Sequence, residues 1–122
     1  MSDPSCDALV EHLGRKLSPA RANGLLEAAG EGDKAAFGVL FDWTSPVIFG
    51  CIHRAVAGRG NAEQLTASVY VGLWRSAPAF EADGPGAHQR LLDFTRGELL
   101  RWHLRQRIPE CRQGSPRLPS TD

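Results

Sequence analysis

Arginine is the residue type whose placement in this sequence points most clearly to chemistry. Between residues 88 and 117 there are seven arginines and only three acidic residues. The arginines of this segment are Arg90, Arg96, Arg101, Arg105, Arg107, Arg112 and Arg117. Guanidinium groups bind phosphate through charge and bidentate hydrogen bonds, so the cluster favours a polyanion as partner. The alternative is a solvated helix face that binds nothing.

Catalytic and metal-binding patterns are missing from the sequence. The four histidines (His12, His53, His88 and His103) are far apart, and none has a Cys, His or carboxylate partner at the spacing of metal ligands. The segment 58–60, Gly-Arg-Gly, lacks the lysine and the Ser or Thr of a phosphate-binding loop. The sequence therefore predicts a protein that is not an enzyme and that holds no cofactor and no metal.

Length and composition predict one globular domain. The chain has 122 residues, of which 42% are hydrophobic and 23% charged, and its formal net charge is zero. These values exclude a two-domain enzyme and disorder throughout the chain. Three cysteines (Cys6, Cys51 and Cys111) form no C-x-x-C pair and indicate a reducing compartment. With no signal peptide and no apolar run of about 20 residues, we expect a cytoplasmic protein without membrane contact.

The elements that would position these residues are all helical. Glycine, proline and asparagine separate segments in which apolar residues recur at spacings of three and four. Helix starts are predicted at Ser18-Pro19, Asp33, Ser45-Pro46 and Asn61, the last with Gln64 as a capping box. A loop at 78–86 precedes a last helix at about 87–107, on which Arg96, Arg101, Arg105 and Arg107 are expected to lie close to one side. The fold class predicted is an all-α small helical bundle.

The same reading divides the chain into three parts. Residues 1–18 are expected to be an N-terminal extension, residues 19–108 the helical domain and residues 109–122 a disordered polar tail. One core is predicted within the domain. Its expected members are Phe37, Leu40, Leu65, Val69 and Leu73.

Three segments, in this order, resemble a known family. In the first, residues 25–41, Gly32-Asp33 precedes Ala36-Phe37 and Leu40-Phe41. The second is Ala-Glu-Gln-Leu-Thr-Ala-Ser-Val-Tyr-Val-Gly-Leu-Trp-Arg at 62–75, and the third is the arginine-rich stretch 90–105. Together they resemble the region-2 domain of extracytoplasmic-function (ECF) sigma factors, which direct bacterial RNA polymerase to promoters. The resemblance covers about two-thirds of the chain.

The resemblance implies two sets of binding residues and a region-2-like bundle. The segment 62–75 is similar to the family's helix that grips the clamp of the RNA polymerase core. The residues implied for polymerase binding are Asn61, Glu63, Gln64, Thr66 and Ala67. The segment 90–105 is similar to the basic helix that meets the upstream promoter element. The residues implied for DNA binding are Arg90, Arg96, Arg101, Trp102, His103 and Arg105.

The sequence also departs from the family pattern. The clamp-binding helix of the family usually carries acidic residues and a glutamine, whereas here Glu63 is its one acid beside Asn61, Gln64, Ala67 and Ser68. In the last helix Arg90 replaces a tryptophan, and Gly97 replaces an asparagine at a cost of ~1 kcal/mol relative to alanine. The segment after residue 107 is too short to form the family's second DNA-binding domain, so a complete initiation factor is not expected unless the chain is a fragment of one.

Two functions of different classes therefore remain open. The first is a sigma domain that binds polymerase and promoter DNA, which the arginines of the last helix favour. The second is a diverged sigma-like module that binds a protein, such as an anti-sigma factor or another regulator, without promoter recognition. Gln64, Ala67 and Ser68 favour the second, because they remove charge from a surface that would meet a basic partner.

Overall fold

Five α-helices and one short 3-10 helix make up the part of the chain that the computed structural model describes, residues 9–81 and 84–107. The helices are α1 (Leu9–Lys16), α2 (Pro19–Gly30), α3 (Lys34–Ala55), α4 (Arg59–Ser76) and α5 (Ala87–Arg107), and the 3-10 helix is Ala77–Ala79. No strand occurs among these residues, so the predicted all-α bundle is confirmed. The expected polar tail at 109–122 and the first eight residues lie outside the described part.

Two of the predicted helix starts are confirmed by their caps. The Ser18 hydroxyl accepts a hydrogen bond from the backbone N–H of Arg21 at 3.2 Å, with proline in the first turn of α2. The Asp33 carboxylate accepts one from the N–H of Ala36 at 3.0 Å at the start of α3. Each cap satisfies an N–H that has no partner within its own helix.

The predicted helix start at Ser45-Pro46 is wrong, because α3 continues through Pro46 to Ala55. A proline inside a helix removes one backbone hydrogen bond and typically costs ~3 kcal/mol. Burial offsets that cost, since one uninterrupted apolar face runs along the whole of α3. Its buried members are Ala36, Leu40, Thr44, Ile48, Cys51 and Ile52.

The capping box predicted at Asn61 is also wrong, because α4 begins two residues earlier, at Arg59. Gly58 precedes the helix with φ at 88°, a left-handed conformation that glycine adopts without strain. The Asn61 side chain is turned back instead, and its Nδ2 donates to the carbonyl of Ala57 at 2.8 Å.

The predicted core is confirmed with one refinement. Leu40, Leu65, Val69 and Leu73 are buried, while Phe37 is half-buried and packs against them. Helix α1 belongs to the same core through buried leucines, which include Leu9 and Leu13.

Helix α3 departs from the expectation that no segment is apolar enough to span a membrane. By length and composition alone it passes that test, with a mean hydropathy of 1.5 over its most apolar 18-residue window. Its buried face packs inside the bundle against α2 and α4, and the core helix of a globular protein passes the same test.

A long-range cap fixes the start of α5, the helix that carries the arginines. Asn23 of α2 accepts a hydrogen bond through Oδ1 from the backbone N–H of Ala87 at 2.8 Å. Residues 23 and 87 are 64 apart in sequence, so this contact anchors α5 on α2.

Gly30→Ala is expected to destabilise the fold by ~1–3 kcal/mol, because it overpacks the contact between α2 and the 3-10 helix. A Cβ at Gly30 would lie 2.5 Å from the backbone oxygen of Ala77, and a backbone cannot rotate away as a side chain can. Gly24→Ala on the same helix is the control, since a Cβ there meets nothing within 4 Å. Urea unfolding should show a loss of stability for the first variant and a gain of ~0.4–1 kcal/mol for the second. Equal midpoints for both variants would contradict the close approach.

Stability is expected to fall in mild acid because of His88 in the first turn of α5. Its ring is buried, neither ring nitrogen has a hydrogen-bond partner within the described residues, and burial lowers the pKa of His88 below its ordinary value of 6.5. Below pH 6.5 the unfolded chain therefore binds more protons than the folded one. The free energy of unfolding should then decrease as pH falls, by at most about 1.4 kcal/mol per pH unit for one group.

Urea unfolding at several pH values between about 5 and 7.5 measures this dependence on the folded state. His88→Leu removes the titrating group and should flatten the acid side of the curve. His12→Gln, which replaces an exposed histidine, should retain the dependence of the wild type. An unchanged slope in His88→Leu would show that another group titrates.

Candidate functional site

Helix α4 separates the residues predicted to bind polymerase into two sets. Glu63, Thr66 and Ala67 line a groove between α3 and α4. Asn61 and Gln64 line a cleft on the other side of the helix, between α4 and α5. Residues three and four apart share a helix face, which explains both groupings. The predicted set is therefore not one surface.

The groove between α3 and α4 is apolar, and we call it the aromatic groove. One section, of about 490 Å³, is lined by Lys34, Phe37, Phe41, Ala67, Tyr70, Val71 and Trp74. A second section, of about 380 Å³, is lined by Phe41, Ser45, Pro46, Phe49, Arg59, Glu63, Thr66 and Ala67. The two sections share Phe41 and Ala67, so they form one continuous surface.

A buried hydrogen bond holds the floor of the aromatic groove. The Thr44 hydroxyl donates its single proton to the carbonyl of Leu40 at 2.7 Å, so the hydroxyl of Tyr70 must be the donor to Thr44 Oγ1 at 2.6 Å. Burial raises the pKa of Tyr70 far above its ordinary value, although the hydrogen bond to Thr44 acts in the opposite direction. The phenol therefore stays neutral, and its ring contacts Phe41 edge-on with centroids 4.8 Å apart.

Large apolar side chains stand exposed along this groove. Phe41 is 40% exposed and Val71 49%. Contiguous apolar surface of this kind marks interaction sites on small proteins. The sequence reading placed Phe41 in an apolar stripe but did not identify a groove, although Phe37 and Phe41 recur at the spacing of one helix turn.

Charge at the other end of the aromatic groove is paired within the protein. Glu63 Oε2 lies 3.2 Å from Arg59 Nε, with both side chains mostly exposed, and Arg59 lies over the ring of Phe49 at 5.2 Å. An exposed pair of this kind contributes ~0–1 kcal/mol and exchanges readily for other partners. The Thr66 hydroxyl is buried and donates to the carbonyl of Ala62 at 2.7 Å. Of the predicted set on this side, only Glu63 offers a polar group to a partner.

The cleft between α4 and α5, which we call the polar cleft, unites parts of both predicted sets. Its volume is about 430 Å³, and its lining is Asn61, Gln64, Leu65, Ser68, Glu98, Trp102, Arg105 and Gln106. Trp102 is half-buried and packs against the core. Asn61 and Gln64 were predicted to bind polymerase, whereas Trp102 and Arg105 were predicted to bind DNA.

The arginines of α5 do not share one side of the helix, contrary to the prediction. Arg96 and Arg105 are nine positions apart, which places them about half a turn from one another around the helix axis. Arg101 and Arg105, one turn apart, do share a side, and Arg101 forms an ion pair with Glu98. Arg96 is exposed on the opposite side.

Arg90 belongs to a third location, near the loop before α5. Its guanidinium lies over the ring of Phe80 at 5.3 Å, and its Nε is buried without a hydrogen-bond partner among the described residues. With Pro85, Asp93 and Phe94 it lines a pocket of about 340 Å³. The predicted DNA-binding residues thus lie at two ends of α5 and on two sides of it.

Histidine and leucine side chains complete the exposed surface of α5. His103 is exposed, and its Nδ1 lies 2.8 Å from the carbonyl of Leu99, which can only accept, so Nδ1 carries the proton. Leu100 is 60% exposed and Leu104 49%, one turn apart, and they lie around the helix between Arg96 and Arg101. The sequence reading missed these two leucines because it assigned the outward face of the helix to arginine.

Comparison with curated proteins connects the chain to one family. The relatives found include the ECF RNA polymerase sigma factor SigK of Mycobacterium ulcerans, 29% identical over 84 residues that make up 62% of this chain and 45% of the relative. The SigK of Mycobacterium sp. (strain KMS) is 33% identical over 82 residues, 61% of this chain and 42% of the relative. The chain is related to the ECF sigma factors. The predicted resemblance of the chain to ECF sigma factors is thereby confirmed.

The relationship to ECF sigma factors has a limited extent. A further relative, the SigK of Mycolicibacterium vanbaalenii, is 29% identical over 90 residues, 67% of this chain and 46% of the relative. The chain thus spans less than half the length of these sigma factors. No protein-family profile and no solved structure matches the chain.

Proposed function

We propose that this chain is a sigma-factor-like transcription protein that binds the RNA polymerase core and promoter DNA in the bacterial cytoplasm. The relationship to ECF RNA polymerase sigma factors carries the proposal. It includes no enzymatic activity and no cofactor. Two surfaces of the molecule, one on each side of α4, would bind these two partners.

The aromatic groove is the surface we assign to the polymerase clamp. Glu63, Thr66 and Ala67, which correspond to clamp-binding positions in the family resemblance, line it. Exposed Phe41 and Val71 supply apolar area whose burial favours association by roughly 25 cal/mol per Å². We expect apolar contact here to take the place of the acidic contacts that the family uses.

Helix α5 is the surface we assign to DNA. Arg101 and Arg105 share a side that an unpaired strand could follow through its phosphates. At the other end of the helix, Arg90 and Phe94 line a pocket beside the loop that precedes α5. Arginine with an aromatic ring in such a pocket suits an unstacked base, because the ring stacks and the guanidinium donates hydrogen bonds.

A protein-interaction module that does not recognise promoters is the second candidate. The exposed aromatic groove favours it, because such a groove suits an anti-sigma factor or another regulator as well as the clamp. The two candidates differ in whether the polymerase core and DNA are bound.

Co-purification of the full chain with mycobacterial RNA polymerase core tests the proposal. We expect the tagged chain to retain the core. A well-folded chain that retains no core would contradict the proposal and favour the protein-interaction module.

A further inference from the structure

We propose that the aromatic groove binds an aliphatic carboxylate, with the acid group at Lys34 and the chain along the rings between α3 and α4. Binding of this ligand follows from the groove itself and does not depend on the proposed function. Its consequence for transcription rests on that function, because the clamp is assigned to the same groove and the ligand would compete with it.

Four aromatic rings that contact one another edge-on form the wall of the groove. The Phe37 ring meets those of Trp74 and Tyr70, with centroids 5.1 and 6.3 Å apart. The Phe41 ring meets that of Tyr70 at 4.8 Å, and the buried hydrogen bond to Thr44 fixes this central ring. A ligand therefore meets an apolar surface that is already ordered, so binding costs little conformational entropy.

The polar side chains beside these rings offer hydrogen-bond donors and no acceptor. In the section of about 490 Å³, the residues with polar side-chain atoms are Lys34, Tyr70 and Trp74. The Tyr70 hydroxyl is buried in its bond with Thr44, whereas an ammonium group and an indole N–H can only donate. The side chains of Lys34 and Trp74 form no hydrogen bond or ion pair with any other described residue. A ligand that satisfies them must bring an acceptor, and the charge of Lys34 favours an anion.

Charge also sets the direction in which the ligand lies. Lys34 is exposed in the first turn of α3, and its described neighbour Asp33 forms no ion pair with it but accepts from the N–H of Ala36. The other end of the groove carries the carboxylate of Glu63, which is paired with Arg59 at 3.2 Å. An acid group is therefore favoured at the Lys34 end and disfavoured at the Glu63 end.

The shape of the groove matches an extended acyl chain. Its lining on α3 runs from Lys34 to Phe49, a distance of about 22 Å at about 1.5 Å per residue. An extended peptide would bring backbone N–H groups that lose water without finding a side-chain acceptor beside the rings, which is unfavourable. A methylene chain has no such groups, and each of its buried carbons favours binding.

Binding can be followed through the indole N–H signal of Trp74 in the NMR spectrum of the full chain, assigned by its loss in Trp74→Phe. Decanoate, decanol and acetate are added separately at about pH 7.5, where carboxylates are ionised, and below the concentration at which micelles form. We expect decanoate to shift the Trp74 signal, decanol to shift it with lower affinity, and acetate to leave it unmoved. The indole of Trp102, outside the groove, should not respond.

Lys34→Gln should weaken the binding of decanoate about fivefold and leave that of decanol unchanged, because only the acid uses the charge. Lys16→Gln is the matched control, since Lys16 is the only other lysine of the chain and lies on α1, outside the groove. Equal affinity of the two ligands for the wild type, or an equal effect of Lys34→Gln on both, would overturn the assignment of the acid group to Lys34.

Retention of the RNA polymerase core separates this inference from the proposed function. Loss of the core on addition of decanoate, at a higher concentration for Lys34→Gln than for the wild type, supports both. A Trp74 response with core retention unchanged, or in a chain that retains no core, supports the ligand and contradicts the place or the binding of the clamp. Core retention with no response of Trp74 to decanoate would overturn this inference and leave the proposed function intact.

Discussion

Val71→Asp is expected to abolish retention of the RNA polymerase core, while Leu104→Asp is expected to leave it unchanged. Val71 lies in the aromatic groove between Tyr70 and Trp74, and contact with the clamp would bury it. An aspartate there would lose its water inside an apolar contact, a cost of several kcal/mol for a buried charge. We therefore expect more than a hundredfold weakening, the equivalent of ~3 kcal/mol.

Leu104→Asp is a close control for this change. Both side chains are apolar, lie on a helix and are 49% exposed, but Leu104 is on α5, away from the groove. Val71→Asp should also fold, since the new carboxylate lies one turn before Arg75 and exposed substitutions rarely cost more than ~0.5 kcal/mol. Thermal unfolding checks the fold of each variant. Equal retention of the core by both variants would show that the clamp does not occupy the aromatic groove.

Local signals explain what the sequence predicts well about this fold. The caps at Ser18 and Asp33 each act on an N–H three residues away, so a short stretch of sequence contains the whole interaction. The apolar spacing of α4 likewise identifies Leu65, Val69 and Leu73 as its buried face. Periodicity and capping were therefore sufficient for the fold class.

Interactions between distant residues explain the errors. Pro46 is a start signal by local rules, but the packing of α3 against α2 and α4 keeps that helix continuous. The cap that Asn23 provides for α5 joins residues 64 apart and has no local signature. Neither effect can be read from the spacing of neighbouring residues.

The candidate site shows the same division between local and distant information. Helical spacing already separates Asn61 and Gln64 from Glu63 and Thr66, so the two faces of α4 were open to prediction. Which neighbour each face meets depends on how the helices pack, and only the structure shows that one face meets α3 and the other α5. Along α5 the spacings of five and four between Arg96, Arg101 and Arg105 correspond to rotations of about 140° and about 40°, so Arg96 lies opposite Arg105.

Because Arg96 lies opposite Arg101 and Arg105 on α5, we expect DNA binding to depend on one side of the helix. If an unpaired strand follows the side of α5 that carries Arg101 and Arg105, the double variant Arg101→Ala/Arg105→Ala should lose two phosphate contacts. Each contact contributes about 0.7 to the slope of log K against log salt for single strands, so the slope should fall by about 1.4. Arg96→Ala, on the opposite side, should change it little.

The ion pair between Arg101 and Glu98 does not prevent such contact. The Arg101 side chain is largely exposed, so its ion pair contributes little to the free energy of folding. A phosphate can therefore replace the carboxylate as partner of the guanidinium. Glu98→Gln removes the competing charge, so it should strengthen binding at low salt with the slope retained.

Measurement of the slope requires a control that changes net charge equally. Arg54→Ala/Arg75→Ala removes two exposed arginines from α3 and α4, and it should lower affinity only through the general field of the protein. Binding of a single-stranded promoter-like oligonucleotide, followed by fluorescence anisotropy from about 50 to 200 mM salt, gives the slope for each variant.

If both double variants lower the slope to the same extent, net charge and not a defined strand path accounts for the binding. If the wild type binds no DNA even at about 50 mM salt, the arginines of α5 serve solubility, and the protein-interaction module becomes the better proposal.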